Sequence, residues 1–357
     1  MIYIVIAVLL FAFSIIIQFK KDFINSPFYY LFYYLFFFIL FCFTAFRYEI
    51  GCDWFNYEGM FGAARKVELS TILIKRDSLY WLLMKAAHYF NLPYPSINFF
   101  TSLLFFIGIY AVAKRQPNPL AFLAFIYPIL IVNMPMSAVR QSAAIGMICL
   151  ALIAIIDKRP KWFLLWVTIA TGFHISAFPF FILFPFSLGK HFLLNNILKS
   201  GLLFIPISYL LITSSVGEHA SNVYIGTDRE AHGAIYRIGL LTITGAFFLL
   251  VLNNKWKKKF MEDYNLILLS SVGMILLIFL IPISTIISDR YGYYLIIFQA
   301  IILARIPFLQ FQYQFNYIFY FIIPYVILVL TFIVWIMNSW HFNKCYYPYK
   351  NLIFNFF

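Results

Sequence analysis

Residues 27–46 read PFYYLFYYLFFFILFCFTAF, twenty consecutive positions without a charge. Coiled as a helix at ~1.5 Å of rise per residue, such a run crosses the ~30 Å hydrocarbon core of a bilayer. It breaks off into RYEIGCDWFNY at 47–57, where Arg47, Glu49, Gly51, Asp53 and Asn56 follow one another closely. A membrane span that ends in a polar knot sets the question for the whole chain.

The remaining sequence agrees with the membrane reading. The 357 residues are 64% hydrophobic and only 11% charged, with a mean hydropathy of +0.88. Soluble domains carry about 25% charged residues, so lipid must be the solvent for most of this surface. The expected fold is an all-α polytopic membrane protein, one integral domain over 1–357 with about ten to twelve spans. They are expected near 1–18, 28–46, 95–113, 118–134, 138–156, 237–252, 264–285, 291–306 and 313–337, with three more near 161–175, 177–188 and 199–213. The segment 177–188 holds Pro179 and Pro185 and is expected to be broken or re-entrant. The first span has no basic leader and no small-residue cleavage site, so it is expected to be retained. SLYWLLMKAAHYFNL at 78–92 is too short and polar to span, and reads as an amphipathic helix at the interface. Cys42, Cys52, Cys149 and Cys345 show no CxxC spacing, so neither a zinc site nor a disulfide framework is expected.

Basic residues set the orientation. With the N-terminus outside, inner loops collect fourteen Lys and Arg against four acids, while the outer side holds eleven against nine. The NNKWKKKF loop at 253–260 weighs most in this. The net charge of +13 is thus a topology signal rather than a nucleic-acid footprint. The two long outer segments, 47–94 and 214–236, place function on the outer face.

The cations of interest on that face are arginines. Arg47 ends the second span, while Arg140, Arg237 and Arg290 are each expected in the first turn of a span. A helix N-terminus already carries about +0.5 charge, so a cation there is unfavourable unless an anion completes the site. Arginine with free backbone N–H groups is also how proteins hold phosphate. The competing reading is interfacial arginines that snorkel or pair with acids, Asp289 beside Arg290 being one such acid. Asp53 shares its loop with Gly51, Trp54, Asn56 and Tyr57, a carboxylate, amide and ring set suited to sugars. His174, in ATGFHISAF, lies about 20 Å from the point where its span enters at Lys161. A neutral imidazole there suits a general base, and the alternative is a buried ring satisfied by a carbonyl. Walker A, GxSxG, HExxH and a DxD metal pair are all absent from the sequence, so chemistry without metal or cofactor is expected.

The ordered set RYEIGCDWFNY (47–57), RDSLYWLL (76–83), AVRQSAAIGMICLALI (138–153), GFHISAF (172–178) and SDRYGYYL (288–295) resembles the EpsG-like branch of bacterial Wzy-type polysaccharide polymerases. Arg47, Gly51, Asp53 and Tyr57 match that family's R-x-x-x-G-x-D-x-x-x-Y element. Arg140 and Gln141 match its R-Q pair, Phe173, His174 and Ser176 its F-H-x-S, and Asp289, Arg290 and Tyr291 its D-R-Y. Residues 76–78 depart from the family's Glu-Pro-Gly-like stretch, which leaves Asp77 outside the expected site.

The resemblance implies a GT-C-like glycosyltransferase of the bacterial inner membrane, acting at the outer leaflet without a nucleotide sugar. It would transfer a growing glycan from undecaprenyl pyrophosphate to the non-reducing end of an incoming lipid-linked unit. Arg140 and Arg290, with Arg47 and Arg237, are then expected on the pyrophosphate. Gln141, Tyr57, Asp289 and Tyr291 are expected to line the substrate, and His174 or Asp53 to take the acceptor proton. Membrane lipid, a chain-length regulator and a flippase of the same pathway are the implied partners. The alternatives are a lipid-linked oligosaccharide flippase, which should show internal repeats and a charged central cavity, and an O-antigen ligase-like transferase.

Overall fold

The structure, a computed structural model, describes residues 2–19, 26–188, 231, 233–309 and 321–353. The chain is an all-α polytopic membrane protein. Among the described residues, five helices are long and apolar enough to cross a bilayer: Pro27–Ala45, Pro95–Ala113, Val139–Ile156, Ala234–Lys259 and Thr285–Phe308. Shorter apolar helices cover Ile2–Ile16, Pro119–Ile131, Ile175–Ser187, Tyr264–Leu280 and Ile323–Asn338. The span expected at 199–213 lies outside the described residues, as does nearly all of the 214–236 segment.

Two compact units divide the chain. The first comprises Met1–Leu150, Trp166–Ala177 and Leu303–Phe357, the second Ala151–Leu165 and Phe178–Ile302. In the first unit, α1 (Ile2–Phe19) packs on α7 (Pro119–Ile126) and α2 (Pro27–Ala45) packs on α6 (Pro95–Ala113). Between α2 and α6 run α3 (Trp54–Ala64), α4 (Leu69–Ile74) and α5 (Ser78–Tyr89). Then come α8 (Val139–Ile156) and α9 (Pro160–Phe173).

Local chemistry sets the helix ends. Ser26 accepts from the Tyr29 N–H at 3.3 Å and Pro27 opens α2, while Asn118 accepts from Ala121 at 3.1 Å and Pro119 opens α7. Both are capping residues followed by the one position where a missing N–H is harmless. Pro128 removes a donor inside the same span, and the helix widens into a π turn at Tyr127–Ile131. The stretch with Pro179 is broken as expected, into a 3₁₀ segment at Ile175–Leu183 and a single turn, α10 (Phe184–Ser187). The amphipathic reading of 78–92 also holds: α5 buries Tyr80, Met84 and Ala87 along one side.

Helices α6 and α8 cross at a pair of glycines. A Cβ on Gly108 would fall on the Gly146 carbonyl, and a Cβ on Gly146 would meet the Leu104 carbonyl. Small residues that let backbones touch are how membrane helices gain contact without a hydrophobic drive.

In the second unit, α11 (Ala234–Phe247) packs on α13 (Tyr264–Leu276), and α14 (Thr285–Arg305) follows. The NNKWKKKF stretch is no loop. After a π turn at Phe248–Leu252 it continues the span as α12 (Asn253–Lys259). Trp256 holds it there, with its ring buried and its indole N–H on Asp263 at 3.0 Å.

The cysteines correct the sequence reading. Cys52 and Cys345 form a disulfide with Cα atoms 4.8 Å apart, across 293 residues of sequence. Local spacing carries no trace of so distant a partner. The bond ties the knot after α2 to α16 (Trp340–Cys345), which follows α15 (Ile323–Asn338).

The glycine crossing is testable. Gly146→Ala should lower stability by about 1–3 kcal/mol through overpacking, read as an earlier thermal transition of the purified protein in detergent. Gly59→Ala, in α3 with open space around the added carbon, should be neutral or raise the transition slightly.

Candidate active site

The polar knot is built around Arg47. Its side chain is buried at 1% exposure, and its hydrogen bonds go to carbonyl and amide oxygens. Nε donates to the carbonyls of Ile50 (3.1 Å) and Met136 (2.9 Å), Nη1 to that of Thr44 (3.1 Å), and Nη2 to Asn98 Oδ1 (2.9 Å). The Trp54 ring lies 5.7 Å from the guanidinium carbon. Burial lowers the arginine's affinity for its proton, yet a guanidinium stays charged in proteins. The structure places Arg47 as a brace inside the protein, where every nitrogen serves a protein oxygen.

What it braces is the start of α8. Gly51, at φ +102°, presses on the Met136 carbonyl, leaving no room for a Cβ. That conformation and that contact both demand glycine. Arg47 and Gly51 thus hold one peptide just ahead of α8, whose first turn carries Arg140 and the buried Gln141.

Arg140 has a different environment. Its Nη1 meets Asp77 Oδ2 at 2.6 Å, Nε points at the Tyr57 hydroxyl at 3.5 Å, and the rings of Tyr57 and Tyr80 lie 5.3 and 6.0 Å from its guanidinium carbon. Its side chain is 28% exposed against 7% for Asp77. Nη2 has no hydrogen-bond partner among the described residues. Tyr80 is fully buried, and burial raises its phenol well above the usual value, so it faces the arginine as a neutral ring. An exposed donor nitrogen on a cation clamped from behind is an anion-binding arrangement.

The other Asp77 oxygen reaches further. Oδ1 accepts from the Ile175 N–H at 3.0 Å, immediately after His174. The carboxylate therefore joins the first turn of α8 to the turn that ends α9. At that turn, His174 Nδ1 lies 2.6 Å from Ser176 Oγ, and the Ser176 backbone N–H points at the same nitrogen at 3.3 Å. A backbone N–H can only donate, so this geometry assigns Nδ1 as acceptor and the neutral ring's proton to Nε2. The serine of F-H-x-S orients the imidazole. Asp53 is half-buried at the N-cap of α3, without a side-chain cap bond, one helical turn before Tyr57.

The second unit holds the remaining expected residues. Arg237, in the first turn of α11, grips Asp289 through two parallel bonds, Nε–Oδ1 at 2.7 Å and Nη2–Oδ2 at 2.8 Å, with the Tyr293 ring 5.4 Å away. Asp289 thus serves Arg237 rather than its sequence neighbour Arg290, and it offsets the cation at that helix start. Arg290 does not open its helix. Helix α14 begins at Thr285, with Ser284 Oγ accepting from Ile287 N–H at 3.3 Å, so Arg290 and the half-buried Tyr291 lie in its second turn.

Asp77 is the residue the sequence reading left out. Its place before α5 looks like an ordinary N-cap, and nothing local announces a bond to an arginine 63 positions later. His88, by contrast, is a satisfied structural ring, its Nε2 on the Phe61 carbonyl at 2.7 Å.

The sequence model of the EpsG family matches residues 30–351. The chain belongs to the EpsG family. That family is one of Wzy-like polymerases, which gives the protein a polysaccharide polymerase-like role in the membrane. No curated protein sequence and no solved structure matches the chain. The EpsG match spans the whole Arg47–Arg140–Asp77–His174 arrangement as well as the Arg237–Asp289 pair.

Two arginines of this EpsG protein should behave differently. Arg47→Met strands four buried oxygens and should cost about 3–5 kcal/mol, seen as loss of folded protein from solubilised membranes. Arg140→Ala should leave folded protein in the membrane with a smaller loss than Arg47→Met, because Arg140 is partly exposed and Asp77 keeps its bond from the Ile175 N–H.

Proposed function

We propose that this protein polymerises lipid-linked oligosaccharide repeat units. The growing glycan leaves undecaprenyl pyrophosphate and joins a hydroxyl at the non-reducing end of an incoming unit. The observation that carries this reading is Arg140: a partly exposed guanidinium with one unshared nitrogen, held by Asp77 beside the His174 turn. In the transfer, the acceptor oxygen bonds to the anomeric carbon as the bond from that carbon to the pyrophosphate oxygen breaks. The leaving pyrophosphate gains one negative charge and the acceptor hydroxyl loses one proton. Arg140 Nη2 and the Nε2–H of His174 are donors for that developing charge. Asp53, one turn from Tyr57, takes the proton. This division assigns His174 to the leaving side and Asp53 to the base. Arg290 is assigned separately, as a further anion-binding cation of the second unit.

The active face is assigned to the exterior of a bacterial inner membrane. The bias of basic residues supports this. So does the Cys52–Cys345 disulfide beside the site, since such bonds persist on the oxidising side of that membrane. A flippase would carry its charges through a central cavity between repeated halves, whereas the Arg140 cluster sits at helix ends.

Removing one such donor from the site should cost about 3–4 kcal/mol in the transfer barrier. In cells making the native glycan, Arg140→Ala should yield single capped repeat units in place of long chains, with the protein still present in the membrane. Arg290→Ala should do the same. Long chains from a strain lacking the protein altogether would end the polymerase reading, and loss of all surface glycan would point to the flippase instead.

A further inference from the structure

We infer that Asp77 is a positioning residue for the transfer reaction, aiming Arg140 and setting the turn that presents His174. This rests on the polymerase reading of the Arg140 site. The backbone at Asp77 is unfavourable. Asp77 sits at φ +56°, ψ +40°, the left-handed region that is unfavourable for a non-glycine residue. Its side chain gives nothing to its own helix, for it makes no cap bond to α5, and the carbonyl alone receives the Tyr80 and Trp81 N–H groups. A glycine or asparagine would suit that backbone better, so the carboxylate is present for what it touches elsewhere.

Two of its contacts matter here. Oδ2 holds Arg140 Nη1 at 2.6 Å, and Oδ1 holds the Ile175 N–H at 3.0 Å. A single anchored carboxylate thereby fixes the relation between a cation on α8 and an imidazole at the end of α9. With one guanidinium nitrogen clamped and the Tyr57 and Tyr80 rings on its flanks, Nη2 is the donor turned to a ligand. The carboxylate also lowers the net charge beside Arg140, so it weakens simple attraction for anions while improving aim. Binding and turnover should therefore separate when it is changed.

Asp77→Asn is the test, in the full chain. Asparagine tolerates the left-handed backbone and keeps an oxygen for the Ile175 N–H, but turns a donor towards Arg140. The variant should melt no earlier than the native protein in lipid nanodiscs. It should bind inorganic pyrophosphate at least as tightly as the native protein, because a negative charge has left the site. Its polymer yield in cells should nevertheless fall about 10-fold or more. Asp77→Gly relaxes the backbone and removes both contacts, and should lose still more polymer with the fold intact. Combined with Arg140→Ala, Asp77→Asn should add no further loss. Native-length polymer from Asp77→Asn, or a joint loss of melting temperature and pyrophosphate binding in both Asp77 variants, would overturn the inference. If Arg140→Ala also made native polymer, the polymerase site itself would be misplaced. If Arg140→Ala abolished polymer while Asp77→Asn did not, only the role of Asp77 would fall.

Discussion

The first unit depends on one buried cation held by neutral oxygens. Arg47 draws together the end of α2 through Thr44, its own turn through Ile50, α6 through Asn98 and the approach to α8 through Met136. A guanidinium can do this because it offers several donors in a fixed plane, whereas an ammonium is a point charge with no set directions. In a low-dielectric interior each of these bonds is strong, and an unmade one is correspondingly costly. The carbonyls satisfied in this way are those that a broken helix end leaves over. The arginine turns a chain break inside an apolar protein into its most tightly specified point.

The arginines show how one residue type is divided by its surroundings. Arg47 has carbonyl and amide partners and full burial, which make it structural. Arg237 has a carboxylate gripping it by two bonds, so its charge is answered inside the second unit. Arg140 has one carboxylate bond, two ring faces and an exposed nitrogen. Only the last combination leaves a donor for something from outside. The helix-dipole argument treats a cation in a first turn as a site awaiting an anion. It succeeds or fails according to whether a protein carboxylate already stands there.

Much of this was legible in the sequence. Apolar length and composition suffice for the all-α polytopic fold, because only helices and closed barrels satisfy a backbone in lipid. The caps at Ser26 and Asn118, and the proline breaks at Pro128 and Pro179, act locally and leave local marks. Arg140, Tyr57 and His174 were legible as a group because residue type, spacing and order point to them. What could not be read depends on distant pairs. The disulfide joins positions 293 apart, Asp77 reaches Arg140 across 63, and Asp289 turns from its neighbour Arg290 to Arg237. The sequence showed Arg47 as a charge near a membrane surface, and nothing in it said which oxygens would surround that charge.

The strap at the far end of the chain bears on how the protein is made. The Tyr48 N–H bonds to the Lys350 carbonyl, Gly51 N–H to that of Cys345, and Leu352 N–H to that of Phe46, while Lys350 pairs with Glu49 at 2.6 Å. Tyr3, in α1, donates to the Tyr346 carbonyl at 2.9 Å. The knot near residue 50 therefore lacks several partners until residues near 350 have left the ribosome. The spans in between are made first, while the Tyr48 and Gly51 N–H groups and the Phe46 carbonyl await those partners. Assembly of this unit closes by joining early residues to late ones, so the seam stays open until the segment near residue 350 has been made.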